Sequence, residues 1–212
     1  MGERAFGMSY PVMLNLTGRL CVVVGAGKVA QRKIVGLLDA GASVRVVGNE
    51  PTPQIQDLAD KKRIVHYLRG FLASDLAGAW MAFAATNDPD VNEAVHVAAN
   101  VEGILFCHTA GGEGDLTLPA VFKQDDLTVA VSTGGSSPLY ARIIRDALEE
   151  YFADGHGEIL KLLRETRAHL KDKVGDSAER QEIWRLVLDK DIFDAVQTGD
   201  LDHVKKRIRQ CL

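Results

Sequence analysis

Short apolar runs alternate along the first half of the chain with longer stretches in which apolar residues recur at helical spacing. Leu20–Val24 is a continuous, β-branched apolar run, which is typical of a strand covered on both faces of a parallel sheet. A helical pattern follows from Val29 to Leu38 and stops at Gly41, and residues 44–47 predict a second strand. The chain is therefore expected to begin with a βαβ unit.

The alternation continues, with further helices predicted at 53–60 and 88–101 and further strands at 64–67, 80–85 and 104–107. Asp88 is expected to cap the second of these helices, with Pro89 at its first position. Repeated βα units are typical of doubly wound domains. We therefore predict an α/β fold built on a Rossmann-type doubly wound parallel sheet.

The pattern changes after residue 107. Residues 108–114 contain three glycines and predict a loop. Two strands are predicted next, at 116–122 and 127–132, with a polar turn between them at 123–126. A helix is predicted at 138–152. Residues 154–157 predict a linker. From residue 158 onward the chain is helical and charged, with breaks near 175–177 and 198–200, which predicts a small C-terminal helical domain.

Composition excludes several classes of function. Of the 212 residues, 46% are hydrophobic, which is enough to build a core. The net charge is −4, so the composition does not indicate nucleic-acid binding. No apolar run is long enough for a membrane span, and residues 1–10 lack a secretory pattern. Cys21, Cys107 and Cys211 show no pairing or metal-ligand spacing, which predicts reduced thiols in a cytoplasmic protein.

The turn after the first strand carries the clearest chemical signal. Gly25 permits a tight turn, Gly27 lets a pyrophosphate approach the backbone, and Ala30 allows the helix to pack closely on the sheet. The amides at the start of the helix are then available to an anion. This strand–turn–helix context predicts a dinucleotide site, and the alternative is a glycine turn without a ligand.

Two further positions follow predicted strands. Asn49 and Glu50 come after the second strand, where a dinucleotide-binding fold commonly binds the adenosine ribose, and they favour NAD over NADP. Glu50 is equally well explained as a solvated loop residue. Thr86 comes after the fourth strand and is a candidate cofactor contact, whereas helix capping is the better explanation for Asn87 and Asp88.

The loop before the predicted helix at 138 is rich in small polar residues. Residues 132–138 read Ser-Thr-Gly-Gly-Ser-Ser-Pro, and hydroxyls, glycine amides and a helix N-terminus together favour anion binding, with Ser136 as a contact. Arg142 and Arg145, one helical turn apart, add guanidinium groups that bind carboxylates. The alternative is a helix cap followed by two solvated arginines.

Two ionisable residues flank the predicted loop at 108–114. His108 stands at the carboxyl end of the fifth strand, where it is a candidate acid or base near neutral pH, although a lone histidine is more often structural. Asp115 is a candidate catalytic carboxylate, or else a loop residue that stabilises a turn.

These motifs, in this order, resemble the siroheme synthase N-terminal and precorrin-2 dehydrogenase family over about residues 9–152. The resemblance begins at Tyr10 with Tyr-Pro-Val-Met-Leu-Asn-Leu and continues with Val-Val-Gly-Ala-Gly-Lys-Val-Ala-Gln-Arg-Lys, which ends at Lys33. It extends to residues 84–92, 118–120 and 127–138, with Arg142 downstream.

The resemblance implies a homodimer with an NAD-binding Rossmann domain at 1–114, a dimerisation segment at 115–153 and a C-terminal helical domain at 154–212. It also implies a tetrapyrrole substrate, because members of the family oxidise precorrin-2 to sirohydrochlorin and pass a hydride to NAD. Some members also insert ferrous iron to give siroheme.

The family's motifs suggest roles for individual residues. Lys28 and Val29 fall at the cofactor phosphate turn, and Asn49 and Glu50 fall where the family meets the adenosine half of the cofactor. Thr133 falls where the bifunctional members carry a serine near the tetrapyrrole.

One departure from the family concerns metal insertion. Bifunctional members carry an Asn-Val-Val-Asp-type stretch after the fifth strand, whereas this chain has His-Thr-Ala-Gly at 108–111. We therefore expect NAD-dependent oxidation of precorrin-2 without ferrochelatase activity and without a bound metal, with His108, Asp115 and Thr133 as catalytic candidates. The alternatives are a bifunctional dehydrogenase and ferrochelatase, and a non-catalytic tetrapyrrole or dinucleotide carrier or sensor.

Overall fold

The computed structural model describes residues 9–109, 111, 113–152 and 155–210. The chain forms two compact units. The sheet unit spans Tyr10–Thr117, and the helical unit begins at Leu118. Each unit has buried apolar clusters of its own.

Strands and helices alternate in the sheet unit, as the sequence predicts. Its strands are all parallel and lie in the order β3-β2-β1-β4-β5, with a short 3₁₀ helix at Ala73–Leu76 before β4. The predicted Rossmann-type α/β fold is therefore confirmed. In chain order the elements are β1 (Leu20–Val24), α1 (Lys28–Asp39), β2 (Ser43–Val47), α2 (Pro53–Asp60), β3 (Val65–Tyr67), β4 (Met81–Ala84), α3 (Pro89–Glu102) and β5 (Leu105–His108).

The continuous apolar run of β1 is explained by burial on both faces of the sheet. Val23 packs with Ile34 of α1 on one face, whereas Val22 packs with Val95 of α3 on the other, because successive side chains of a strand point in opposite directions. All four residues are fully buried. Burial of an aliphatic side chain of this size contributes roughly 1.5–3 kcal/mol, so the two clusters fix the register of β1 between the two helical layers.

The strand order reverses at β1, which pairs with β2 on one side and with β4 on the other. In the register of the sheet, Val24 lies beside Ala84, and Ala84 lies beside His108. The carboxyl ends of β1, β4 and β5 are therefore level with one another. In open α/β sheets, ligands bind in the crevice at this reversal point.

The helical unit begins with an antiparallel hairpin. Its strands are β6 (Ala120–Gln124) and β7 (Leu127–Val131). Gln124 pairs with Leu127, so the turn has only two residues, and the first of them, Asp125, has a φ of 49°. Asp is among the residues that tolerate this left-handed conformation in tight hairpin turns.

The predicted boundaries of the hairpin were wrong at both ends of its first strand. The first strand starts at Ala120 rather than 116, and Lys123 and Gln124, which were predicted to be turn residues, pair with β7. Their polar side chains suggested a turn, but backbone pairing in a partly exposed hairpin does not require apolar residues.

Five helices follow in the described part of the helical unit, and the predicted breaks near 175–177 and 198–200 are confirmed. Ser137 caps the first helix by accepting a hydrogen bond from Tyr140 N–H. The second helix already begins at His156, inside the linker predicted for 154–157, and residues 153 and 154 lie outside the described residues. The helices are α4 (Pro138–Tyr151), α5 (His156–Lys173), α6 (Ser177–Val187), α7 (Lys190–Gln197) and α8 (Leu201–Arg209).

The last four helices share one apolar core. Ile159, Val187, Val204 and Ile208 are among the residues of this cluster. Asp189 caps α7 and also accepts a hydrogen bond from Arg207 of α8 at 2.5 Å, which ties the ends of two helices together. None of the helices in the described part of the chain combines the length and the apolar character that crossing a bilayer requires.

Candidate functional site

Gly25 lies directly after β1, in the turn that the sequence assigned to a cofactor phosphate. Its φ is 115°, and its N–H donates to the Val47 carbonyl at 2.8 Å. A Cβ at this position would lie 2.7 Å from the carbonyl carbon of Ala85 and closer still to the carbonyl oxygen. Only glycine therefore permits both the left-handed backbone and the close approach of the turn to the end of β4.

Gly27 has the opposite surroundings. No atom of the described residues lies within 4 Å of a Cβ built on it, so the space above the turn is open. Gly27 is the N-cap of α1, and no side chain of the described residues caps this helix, whereas Thr52 and Asp88 cap α2 and α3. The first amides of α1 thus face a site that can accept an anion.

The next three residues match their predicted positions. Lys28 and Val29 are exposed in the first turn of α1, and Ala30 is fully buried against the sheet. Ala30 therefore allows the close helix–sheet packing that the motif requires.

The end of β2 lies beside the glycine turn. A Cβ on Gly48 would lie 3.0 Å from both the Cβ and the nitrogen of Ala26, and Thr52 N–H donates to the Ala26 carbonyl at 3.1 Å. Asn49 and Glu50 follow at once and are exposed. The two predicted ribose contacts are thus placed next to the predicted phosphate turn.

Thr86, a predicted cofactor contact, lies just beyond β4 and bonds to neighbouring residues of the same turn. Its hydroxyl donates to Asn92 Oδ1 at 2.8 Å, with the Asp88 carbonyl also within 3.0 Å, and accepts from Asp88 N–H at 3.1 Å. A hydroxyl has one proton to donate, so Thr86 is engaged within the β4–α3 turn. Asp88 caps α3, as predicted, by accepting from the N–H groups of Asp90 and Val91.

A cavity of about 490 Å³ opens at the carboxyl ends of β4 and β5. His108, the last residue of β5, is half-buried in its wall, and its ring lies edge-on to Phe106 at 6.4 Å between centroids. The structure therefore brings His108 and Thr86 together at one cavity. The described residues that line it are Thr86, Asn87, Pro89, Asn92, Glu93 and His108.

Asp115, which was predicted to be catalytic, is not among those lining residues. Its carboxylate accepts from Phe106 N–H at 2.9 Å, and its own N–H donates to the Phe106 carbonyl at 2.9 Å. Because β5 is the edge strand of the sheet, its outer backbone groups need partners, and Asp115 supplies them. Asp115 thus makes the structural contact that the second interpretation of this residue predicts, and its catalytic role stays a prediction.

Thr133, Ser136, Arg142 and Arg145 belong to the helical unit. The Thr133 hydroxyl donates to the Ser137 carbonyl at 3.1 Å and accepts from Ser137 N–H at 3.2 Å. Ser136 is exposed in the turn that these bonds close, and its N–H donates to the Thr133 carbonyl at 3.1 Å. Several polar groups of this loop therefore form hydrogen bonds within the loop or cap α4.

The side chains of both arginines of α4 form hydrogen bonds with other residues of the same helix. Arg142 is exposed, and its Nε donates to the Pro138 carbonyl at 3.3 Å. Arg145 Nε donates to Asp146 at 2.6 Å, so its charge is partly neutralised by a neighbouring carboxylate. Arg142 is the better placed of the two to bind a carboxylate from outside the chain.

Burial controls the charge of several groups in the sheet unit. It raises the pKa of the thiols of Cys21 and Cys107 to about 11, and both are free cysteines. Burial also lowers the pKa of Lys33, on α1, which lies near Cys107. The third cysteine, Cys211, lies outside the described residues. Among the residues that are described, no group of three or more His, Cys, Asp or Glu side chains is arranged to hold a metal ion.

These features fit a dinucleotide. The space above Gly27 is one that a Cβ would fill, the first turn of α1 lacks a capping side chain, and the crevice lies where the strand order reverses. The fold and its glycine turn thus define a dinucleotide-binding protein of the Rossmann class.

Comparison with known proteins leads to the same class. Residues 12–120 match the family model described as putative NAD(P)-binding, residues 124–151 match the sirohaem biosynthesis protein central region, and residues 155–212 match the sirohaem synthase dimerisation region. The chain therefore belongs to the putative NAD(P)-binding family, in its sirohaem-synthase arrangement, which confirms the resemblance to siroheme synthase and precorrin-2 dehydrogenase domains and the nicotinamide-dinucleotide class of the predicted cofactor.

Individual relatives support this assignment. Siroheme synthase of Chromobacterium violaceum is 37% identical over 192 residues, which cover 90% of this chain and 41% of the relative. Siroheme synthase of Nitrosococcus oceani is 30% identical over 210 residues, 95% of this chain and 43% of the relative. The chain thus spans less than half the length of these relatives. A solved structure, SirC, precorrin-2 dehydrogenase, has a TM-score of 0.81 at 26% identity, covering 96% of this chain and 98% of that one.

Two residues with clear structural roles at the site were not singled out from the sequence. Gly48 allows the end of β2 to contact Ala26 of the glycine turn, and Asn92 is a buried polar residue that holds Thr86. Asn92 shares the apolar face of α3 with Val95 and Ala99, and a polar residue at such a position is the signal that could have identified it.

Proposed function

We propose that the chain is an NAD-dependent precorrin-2 dehydrogenase that forms sirohydrochlorin and does not insert metal. The observation that carries the proposal is the open glycine turn at Gly27, one strand away from a cavity that His108 lines. Both lie at the edge of the sheet where dinucleotides bind in this fold. The family matches and the name of the SirC structure support the choice of substrate.

The residues of the turn are suited to hold the pyrophosphate of the cofactor. Gly25 and Gly27 give the phosphates access to the backbone, and the amides of Lys28 and Val29 lie in the uncapped first turn of α1. A helix N-terminus stabilises an anion by roughly 0.3–1 kcal/mol in an exposed setting. Exposed Lys28 adds a positive charge at the same place.

Asn49 and Glu50 are the proposed ribose contacts, because they are exposed beside the phosphate turn. An acidic residue after the second strand hydrogen-bonds the ribose hydroxyls and repels the additional phosphate of NADP. This is our reason for proposing NAD as the cofactor.

Oxidation of precorrin-2 breaks one C–H bond with loss of a hydride and releases one proton from the macrocycle. When bound, the nicotinamide ring supplies the acceptor for the hydride. His108 is the proposed base: a neutral imidazole nitrogen accepts the proton at the wall of the cavity. Asp115 remains a proposed catalytic carboxylate, and one of its oxygens already accepts a hydrogen bond from Phe106 N–H of β5.

We propose that the helical unit binds the carboxylates of the substrate. Precorrin-2 carries several of them, and exposed Ser136 and Arg142 offer a hydroxyl and a guanidinium, with Arg145 one turn further along α4. Thr133 remains a proposed active-site residue, with a hydroxyl that already closes the loop around Ser137.

We further propose that the chain forms a homodimer in the cytoplasm. Residues 155–212 match a dimerisation region, and two buried free cysteines are typical of a reducing compartment. The division into domains at residues 114 and 153 stays a prediction, as does the assignment of 115–153 to dimerisation.

The test is a turnover assay. The purified chain receives enzymatically prepared precorrin-2 with NAD or NADP, and the absorbance of the reduced cofactor is followed together with the spectrum of sirohydrochlorin. The proposal predicts stoichiometric NADH and sirohydrochlorin, with NADP much less effective. If both ligands bind but no NADH forms, the dehydrogenase proposal fails and a carrier or sensor becomes the better interpretation.

Ferrous or cobaltous ion added at the end of the same reaction tests metal insertion. Residues 108–111 lack the aspartate of bifunctional members, and Gly111 offers no side chain in its place. Metal insertion should therefore be no faster than in a protein-free control. Faster insertion would support the bifunctional alternative.

A further inference from the structure

Asn92 makes an unusual set of contacts for a helix residue near the candidate site. It lies on the apolar face of α3 and is only 5% exposed. Its Oδ1 accepts from Thr86 N–H at 3.3 Å and from the Thr86 hydroxyl at 2.8 Å, and its Nδ2 donates to the Thr86 carbonyl at 3.1 Å. One buried carboxamide therefore engages the donor and acceptor groups of a single residue.

Thr86 and its neighbour connect this carboxamide with both halves of the candidate site. Thr86 and Asn87 line the cavity with His108. Ala85, directly before them, has its carbonyl against Gly25, so closely that a Cβ on Gly25 would lie 3.2 Å from Thr86 N as well. A shift of Thr86 would therefore change the wall of the cavity and the support of the phosphate turn together.

Burial makes the contact specific to a carboxamide. A buried polar group without partners costs about 1–3 kcal/mol, so a donor and an acceptor are retained at this position only where both are satisfied. Aspartate has a similar shape but cannot donate to the Thr86 carbonyl when ionised, and leucine has neither function. Asn92 thus defines the position of the Thr86 peptide rather than merely filling space.

We propose that Asn92 is a positioning residue of the dinucleotide site, acting through Thr86 to hold the β4–α3 turn in the shape that binds the cofactor. The proposal rests on the proposed function, because it assigns the site to a nicotinamide dinucleotide. It predicts that loss of the Asn92 carboxamide weakens binding of the dinucleotide much more than binding of the tetrapyrrole, because only the dinucleotide also contacts the phosphate turn.

The experiment compares Asn92→Ala and Asn92→Asp with Asn100→Ala, which changes an exposed asparagine of the same helix. Dissociation constants for NADH are measured by fluorescence on protein shown to be folded by circular dichroism, and KM is measured for NAD and for precorrin-2. We expect Kd for NADH and KM for NAD to rise about tenfold in Asn92→Ala, which corresponds to roughly one net hydrogen bond. KM for precorrin-2 should rise much less, and all values for Asn100→Ala should stay at the wild-type level.

A double variant shows whether Asn92 acts through Thr86. Thr86→Val removes the hydroxyl, so the effects of Asn92→Ala and Thr86→Val on NADH binding should be less than additive when combined. A folded Asn92→Ala protein with wild-type affinity for NADH, or equal losses for both substrates, would overturn the inference and leave the proposed function intact. A wild-type chain that does not bind NADH would overturn both.

Discussion

The two glycines of the β1–α1 turn should respond to substitution in opposite ways. Gly25→Ala places a methyl group 2.7 Å from the Ala85 carbonyl carbon, at a φ of 115° that alanine rarely adopts. The backbone strain costs about 1–3 kcal/mol and the overlap a further 1–3 kcal/mol, for a total of roughly 2–6 kcal/mol. Gly27→Ser adds a side chain in open space at a φ of −80°, where serine is a favourable N-cap.

Thermal unfolding and NADH titration separate the two effects. Gly25→Ala should lower the unfolding midpoint of the sheet unit by about 10 °C or more, since 1 kcal/mol shifts a domain of this size by roughly 4 °C. Gly27→Ser should melt within about 3 °C of the wild type, yet lose most of its affinity for NADH, because its hydroxyl caps the amides that the pyrophosphate needs. A Gly25→Ala protein as stable as the wild type would refute the close approach of the turn to β4. Unchanged NADH affinity in Gly27→Ser would refute the phosphate site.

Three further predictions concern stability and reactivity. A hydrogen bond from Arg69 is the main cause that lowers the pKa of Asp75, so its stabilisation is present above the ordinary carboxyl pKa of 3.8 and is lost as pH falls through the lowered one. Asp75→Asn should cost about 2 kcal/mol in urea unfolding at pH 7 and progressively less as the pH falls through the lowered pKa. Asp57→Asn, in an exposed pair with Lys61, should cost less than about 0.5 kcal/mol at pH 7, and equal losses for the two variants would contradict this. Gly157→Ala should destabilise the helical unit, because the new Cβ would lie 2.8 Å from Asp125 Cγ, and Asp125→Gly in the same chain should restore the melting temperature; a lack of rescue would count against that contact. Burial raises the pKa of Cys21 and Cys107 to about 11, so both should resist iodoacetamide at pH 8 in the native protein and react after unfolding, as peptide mass spectrometry would show; rapid native labelling would contradict their burial.

The architecture of the sheet unit was predictable because each strand and helix has a local signal. The apolar run of β1 indicates burial on both faces, and Asp88 before Pro89 indicates the start of α3; both are confirmed. Gly25 needed only the strand–turn–helix context to be assigned to a tight turn, and its φ of 115° bears this out.

The remaining roles depend on contacts between residues that are distant in the sequence. The contact of Asp115 with the edge of β5 has no local signal, because its partner is a backbone N–H nine residues earlier. The hydroxyl of Thr86 has the same property, since its partner Asn92 lies a turn into the next helix. Gly48 follows β2 and lies against Ala26, which follows the neighbouring strand β1. No local pattern in the sequence contains such pairings.

A nicotinamide dinucleotide is proposed to bind at the carboxyl ends of β1, β4 and β5. A crystal structure of the chain saturated with NAD tests it most directly. We expect the pyrophosphate over Gly27 at the first turn of α1, and one end of the dinucleotide in the cavity lined by Thr86 and His108. A dinucleotide bound elsewhere on the chain, with the turn at Gly25 and Gly27 left empty, would contradict it.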